Sequence, residues 1–292
     1  MKFTLRQLEV FFAIGCVNSV SKAAEQLHLT QSATSMALSD FERQTNTQLF
    51  DRLGKRLVLN AMGQELLPKV KELLDRAKEL EAYFDTGSHN YPFTLGATLT
   101  IGNYLVPPLI ATYWNSYPNT KIGVQVHNTT DILERLRRME IDLALIEGEC
   151  HSHDLASEEW LTDELCVFAA PSHPLVNKHN VVFSDLLSEA WILRESGSGT
   201  RQVFDHATAQ YHSSLNIIME LEHTEGIKRA VEAGMGIGCV SKVALKDAFA
   251  RGTLSPISII DLDFRRHFYI VTHKQKYLHK NAHAFIEICR ML

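Results

Sequence analysis

Residues 20–41 read VSKAAEQLHLTQSATSMALSDF, and the periodicity of this stretch sets how the N-terminal part of the chain is built. Ala23, Ala24 and Leu27 fall on one helical stripe, with Ser19 placed to cap its start. His28 and Leu29 interrupt the pattern, and Thr30 is placed to cap a second helix opening at Gln31. That helix is expected to turn Ala33, Ala37, Leu38 and Phe41 toward a core and to leave Gln31, Ser32, Thr34 and Ser35 on the opposite edge. Two short helices joined by a tight turn, the second opening on small polar side chains, is how a helix-turn-helix presents a recognition helix to the major groove. Glutamine can pair with adenine through two hydrogen bonds, and serine or threonine can contact bases or phosphates. The same pattern fits an ordinary helical hairpin in a core, so the stretch by itself leaves both readings open.

The flanks bear on that choice. Leu5, Leu8, Phe11, Phe12 and Ala13 give a preceding amphipathic helix that ends near Asn18. After the second helix the period changes, and residues 49–52 and 56–60 read as two short strands around Gly54, a hairpin or wing. Arg52, Lys55 and Arg56 at its tip suit phosphates or the minor groove, adding affinity more than sequence choice. A charge cluster on a turn is otherwise simply solvated. From Ala61 one long helix follows, in which Leu66, Val70, Leu73, Ala77, Leu80 and Phe84 recur at alternating steps of 4 and 3. That is a heptad seam with charged flanks, suited to pairing with the same helix of another subunit or to packing within one chain.

The motifs SKAAEQLHLTQSATSMALSDFE, LFDR and LVLN resemble the DNA-binding end of a LysR-type transcriptional regulator. The chain departs from the family pattern at Met36, where Arg or Lys is usual, and at Thr34, where an apolar residue is usual. The resemblance implies a winged helix-turn-helix over 1–60, a dimerisation helix over 61–85, a hinge at 86–91 and an effector domain over 92–292. A twofold dimer would set its recognition helices about one DNA turn, or a multiple of it, apart. The implied partners are double-stranded DNA, a second copy through the linker helix, a homotetramer, a small effector and, at a promoter, RNA polymerase.

Composition fits that division. Residues 1–60 carry seven basic and five acidic side chains, which leaves −7 for the remainder of a 292-residue chain of net charge −5. The five cysteines, at 16, 150, 166, 239 and 289, form no Cys-x-x-Cys, so neither a disulfide framework nor a zinc module is suggested. No apolar run approaches the roughly 18 residues of a membrane span, and the opening MKFTLRQLEVFFAIG lacks a signal core. The expectation is a reducing cytoplasm with no membrane partner.

Beyond Pro92 the pattern alternates. Strands are expected at 93–97, 121–127, 143–146, 164–170, 191–193, 217–221 and 236–240, with helices near 101–117, 130–138, 201–212, 225–234, 243–251 and 282–290. This is an α/β layout, with ligands expected where strands end beside helix starts. The family resemblance implies a periplasmic-binding-protein-like α/β domain with a cleft between subdomain I (92–167 and 268–292) and subdomain II (168–267).

Three loops leave strands and enter helices or turns. In the first, Thr98 and Thr100 offer hydroxyls beside free N–H groups at a helix start, an anion seat unless one threonine merely caps the helix. In the second, Arg194-Glu195-Ser196-Gly197-Ser198-Gly199-Thr200-Arg201, glycines allow close backbone approach and Arg194 adds a fixed charge suited to an oxyanion. This loop has neither the spacing of a nucleotide loop nor Gly-x-Ser-x-Gly. The third holds Glu147, Cys150 and His151, followed by His153 and Asp154, and lacks the second half a metal site requires. Gly234-Met235-Gly236-Ile237-Gly238 follows a helix and leads into a strand, a tight turn rather than a dinucleotide fingerprint. No nucleophile-base-orienter set can be assembled, so no enzymatic activity is expected. The competing class is a binding module or enzyme formed by 92–292 with a helical dimerisation arm.

IGNYLVP, IEGECH and ILRESGSGTR resemble the YeiE branch of the LysR family. The resemblance implies a sulfite-sensing regulator, and a related branch controlling carbon-fixation operons shares the last motif. The resemblance implies a small inorganic oxyanion, such as sulfite, held by Thr98, Thr100, Arg194, Ser196 and Thr200, with no cofactor. Glu147 would disfavour an anion beside it unless protonated or paired with a cation. It is expected either to hold the empty cleft or to bind the effector's own proton.

Overall fold

The computed structural model describes residues 2–53, 56–86, 91–148, 150 and 152–292. Gly54 of the expected wing, residues 87–90 of the expected hinge and His151 of the third loop lie outside the described residues. Two compact units emerge: Met1–Tyr91 with Lys274–Asn281, and Pro92–His273 with Ala282–Leu292.

In the first unit α1 (Leu5–Val17) opens on a Thr4/Gln7 capping box and stops at Asn18 in the left-handed conformation. Ser19 caps α2 (Val20–Gln26) by accepting from Lys22 N–H, and Thr30 caps α3 (Gln31–Thr45) by accepting from Ala33 N–H. His28, at φ 52°, makes the turn between them. Strands β1 (Phe50–Leu53) and β2 (Arg56–Leu59) pair antiparallel as the wing, and α4 (Ala61–Thr86) follows. Phe11 sits at the centre, with its ring 5.9 Å from Phe41 and 5.7 Å from Phe50. These rings tie α1, α3 and the wing into one core.

The heptad seam of α4 divides in two. Val70 and, one step off the seam, Leu74 are buried in this core, with Leu66 packed partly against it. Leu73, Leu80 and Phe84 are 42%, 58% and 76% exposed. The returning segment 274–281 packs within the same unit, the Arg76 guanidinium lying 4.2 Å from the Tyr277 ring centroid.

The second unit runs β3 (Phe93–Thr98), α5 (Leu99–Tyr104), α6 (Val106–Ser116), β4 (Ile122–His127), α7 (Thr129–Arg137), β5 (Leu143–Glu147) and β6 (Leu155–Ala169). It continues with β7 (Ala190–Arg194), α8 (Gly199–Ala207), β8 (Asn216–Leu221), α9 (Thr224–Glu232), β9 (Ile237–Ser241) and α10 (Lys242–Arg251). β10 (Ser255–Ile257), β11 (Arg265–His273) and α11 (Lys280–Arg290) complete the chain. The strands order β4-β3-β5-β11-β6-β9-β7-β8, with β10 beside β6. The β3, β4 and β5 pairings are parallel, as are those of β7, β8 and β9; β6 and β11 run antiparallel between the two groups. β6 is long enough to pair with β11 along its first part and with β9 and β10 along its last, so both halves share it.

Three expectations need correction. The strand expected at 164–170 begins at Leu155, β11 has no counterpart among the expected strands, and the helix expected over 101–117 is two helices. The last break falls at Leu105 because Val106-Pro107-Pro108 follows; proline lacks the N–H a helix interior needs and fits only its first turn.

Candidate functional site

On α3 the buried residues are Thr34, Leu38 and Phe41, the i, i+4, i+7 face of a helix. Thr34 is fully buried and its hydroxyl donates to the Thr30 carbonyl at 3.0 Å. A threonine satisfied by its own helix behaves as an apolar filler. The assignment of Thr34 as a base reader is therefore corrected: it faces the core, while Ala33, expected inside, is exposed. Gln31, Ser32 and Ser35 are exposed as expected, together with Met36 at 67%. Ser32 shares a 3.1 Å hydrogen bond with Thr30, which leaves Gln31 and Ser35 as polar groups outside the capping network. Arg52 pairs in register with Leu57, and Arg56 with Leu53, at the tip of the wing. Their side chains, and Lys55 altogether, lie outside the described residues.

In the second unit the central group is Glu147, the last residue of β5 and 1% exposed. One carboxylate oxygen accepts from Thr100 N–H at 2.8 Å. The other accepts from the Thr200 hydroxyl at 2.7 Å and from Arg266 Nη1 at 2.8 Å. The same Nη1 lies 3.1 Å from Thr200 Oγ1, and Arg266 Nε donates to Asp163 at 2.7 Å. Asp163 also accepts from Ser241 Oγ at 2.8 Å. The N–H expected to be free at the α5 start is thus already held by a carboxylate, the charge a helix N-terminus favours. Burial by itself would raise the Glu147 carboxyl, but Arg266, the Thr100 and Thr200 donors and the charge of Arg194 together hold it at about 2. Glu147 is ionised, and the condition set for it, pairing with a cation, is met by Arg266.

Around this cluster the 195–199 loop is clamped to the start of α7. Thr129 Oγ1 donates to the Glu147 carbonyl at 3.2 Å and accepts from Gly199 N–H at 3.1 Å. A side chain at position 199 would put its Cβ 2.3 Å from that carbonyl, so only glycine permits the approach. Arg194 is 2% exposed, and its Nε and Nη2 donate to the two oxygens of Glu195 at 2.8 and 3.0 Å.

Thr98 Oγ1, Ser198 Oγ and Arg266 Nη2 are buried and, among the described residues, have no hydrogen-bond partner. Thr98 and Ser198 stand at the N-cap positions of α5 and α8, yet neither side chain caps its helix. Ser196, assigned to the effector, is exposed, whereas Ser198 two residues on is buried. The structure thus brings Thr100, Glu147 and Thr200 into direct contact and adds Arg266, Asp163 and Thr129, while Ser198 is buried and Ser196 exposed.

A winged helix-turn-helix on one unit and a two-part α/β fold with a buried polar cluster at strand ends on the other define a DNA-binding regulator with an effector domain. Residues 5–64 match the bacterial regulatory helix-turn-helix protein, lysR family, and residues 86–292 match the LysR substrate binding domain. The chain belongs to the LysR family of transcriptional regulators. It is 41% identical to the HTH-type transcriptional regulator YeiE of Escherichia coli (strain K12), over 99% of this chain and 98% of that protein. It is 33% identical to the HTH-type transcriptional activator CmpR of Synechocystis sp. over 97% and 94%. A full-length OxyR variant from Pseudomonas aeruginosa shares the fold, with a TM-score of 0.71 at 19% identity over 99% and 98% of the two chains. The CcmR regulatory domain of Synechocystis PCC6803, solved in complex with 2-PG, superposes with a TM-score of 0.64 at 28% identity, covering 68% and 96%. These relatives are regulators, not enzymes. Among the described residues no helix is long and apolar enough to cross a membrane.

Proposed function

We propose that this regulator reads a specific operator through Gln31 and Ser35, with Ser32 beside them, and answers to a small inorganic oxyanion, sulfite being the candidate. Arg52, Lys55 and Arg56 hold the DNA backbone. One observation carries the effector reading: Thr98 Oγ1, Ser198 Oγ and Arg266 Nη2 are buried donors that, among the described residues, have no hydrogen-bond partner. A buried donor without a partner costs on the order of 1–3 kcal/mol, and an acceptor-only oxyanion would relieve it at each atom. The solved CcmR domain, with its bound 2-PG, supports a small ligand in this kind of fold. Thr98 and Arg194 keep the roles the resemblance gave them, with Ser198 taking the place of Ser196, while the Thr100 N–H and the Thr200 hydroxyl are spent on Glu147 and support the seat instead of donating to the anion. Glu147 is the ionised tie that positions Thr100, Thr200 and Arg266 rather than a carrier of the effector's proton.

Exposed Leu73 and Leu80 on α4 support pairing with a second copy, and two such dimers give the tetramer. Effector binding shifts the closure of the two halves that share β6, and hence the spacing of the DNA heads, by its differential affinity for the two states. The protein works where the DNA is, in the cytoplasm, and RNA polymerase is its partner at a promoter. Calorimetric titration of the full chain with sulfite, sulfate and phosphate tests the effector reading. Saturable binding of one of them, lost in the Thr98→Ala/Ser198→Ala double variant, is expected; no heat with any oxyanion overturns it.

A further inference from the structure

Arg194 is the most deeply buried cation of the 194–201 loop, and its guanidinium is already engaged. Nε and Nη2, the two parallel donors a guanidinium uses to grip a carboxylate or another oxyanion, both go to Glu195. The two partners differ in freedom: the side chain of Arg194 is 2% exposed and that of Glu195 is 17% exposed. The backbone beneath them is fixed. Thr130 donates to the Gly197 carbonyl through both N–H and Oγ1 at 3.4 Å, Thr129 holds Gly199 N–H, and Arg201 Nη1 donates to the Arg194 carbonyl at 2.9 Å. What can move is the Glu195 carboxylate, outward into water.

The charges around the cluster give that movement a direction. Arg194 and Arg266 face Glu147, Asp163 and Glu195, so the seat is net negative while Glu195 stays on Arg194 and neutral once it leaves. Arg201, the other cation of the loop, is held by Asp205 and Glu220. An anion approaching a net negative site in a poorly screened interior is repelled.

The geometry points to Glu195 as a built-in occupant of the anion seat, displaced from the Arg194 fork by a compact oxyanion that offers two oxygens in its place. This inference rests on the reading of the cleft as an oxyanion site. It adds a selection rule. A halide offers one point of contact and cannot replace both bonds that Glu195 makes, so Glu195 excludes chloride and sets the concentration at which an oxyanion enters.

The test titrates full-length wild type, Glu195→Gln and Glu195→Asp with sodium sulfite and sodium sulfate, with and without added potassium chloride. Removing a competing charged hydrogen-bond pair should tighten oxyanion binding about tenfold in Glu195→Gln. Chloride should compete in that variant and not in wild type. Glu195→Asp, one methylene shorter, keeps the charge but loses the two-oxygen grip and should fall between them. Unchanged or weaker oxyanion affinity in Glu195→Gln, at an unaltered thermal midpoint, overturns the inference while leaving the oxyanion site standing. Should Glu195→Gln fold poorly, Glu195→Asp carries the same comparison: tighter oxyanion binding than wild type supports the inference, and unchanged or weaker binding overturns it. If neither wild type nor variant takes up either oxyanion, the cleft reading itself fails, and this inference with it; uptake only by Glu195→Gln supports both.

Discussion

Replacing Glu147 by alanine would remove the acceptor shared by Thr100 N–H, the Thr200 hydroxyl and Arg266 Nη1 in one step. Deleting one partner of a buried ion pair costs about 3–5 kcal/mol; Arg266 keeps Asp163, but the Thr100 N–H and the Thr200 hydroxyl lose their acceptor in the same step. For a unit of roughly 200 residues each kcal/mol moves the thermal midpoint by about 2–4 °C, so a fall of about 6–20 °C is expected. The pH dependence adds a second check. The carboxyl lies at about 2 in the folded chain and at the ordinary 4.5 when unfolded. A depressed carboxyl contributes stability that is present above 4.5 and is lost as pH falls through 2. That contribution is roughly 3 kcal/mol, in line with the cost of breaking the pair. The gap between wild type and Glu147→Gln should thus stay flat from about pH 8 to about 5, narrow progressively below about 4.5 and close only near pH 2. The assay is thermal unfolding of the full chain by circular dichroism across that range. A midpoint within about 2 °C of wild type for Glu147→Ala, under about 1 kcal/mol, would refute the claim that Glu147 ties the cluster together.

Thr34→Val should leave duplex affinity within about twofold and stability within roughly 1 kcal/mol, since only a helix-internal hydroxyl bond is lost; weakened DNA binding in a gel shift would place Thr34 on the DNA after all. Arg56→Ala should weaken binding to all duplexes alike and reduce the slope of log affinity against log salt by about 1, and a sequence-dependent loss would contradict its role as a backbone contact. Leu80→Asp should shift the sedimentation profile toward monomer without melting the winged helix, because Leu80 is 58% exposed in one copy. An unchanged profile would remove the α4 seam from the dimer.

The starts of the second and third helices, the end of the first and the course of the linker helix are legible because each is fixed by neighbours in sequence: Ser19 and Thr30 as caps, the end of the apolar pattern near Asn18, and the 4,3 repeat from Leu66; the Thr4 cap is seen only in the structure. The face of α3 is misread by one position when threonine is counted as polar, because its hydroxyl can turn back on the Thr30 carbonyl. In the cleft, Thr100, Glu147 and Thr200 stand out in the sequence because each lies at a strand end or helix start. Arg266 does not, because its strand, RRHFYIVTH, alternates inward and outward with an arginine on the inward side. Its partners lie 103 and 119 residues away, at Asp163 and Glu147, and no local pattern announces such a pairing. The first half of β6 is hidden for a related reason: ASEEW is largely exposed and lacks the apolar alternation of a half-buried strand. Ser198 shares its loop with Ser196, and nothing in the sequence separates the two; only the fold buries one and exposes the other.

Every other expectation depends on the proposed coupling, within one chain, of a buried oxyanion site to a base-reading helix. Full-length protein should first select a preferred duplex from a randomised pool, and its affinity for that duplex should then be measured with and without sulfite. Selection that needs Gln31 is expected, together with a sulfite-dependent change in affinity of about fivefold or more that disappears in the Thr98→Ala/Ser198→Ala variant. A duplex affinity indifferent to sulfite at every concentration, or a protein that selects no sequence at all, would contradict the coupling.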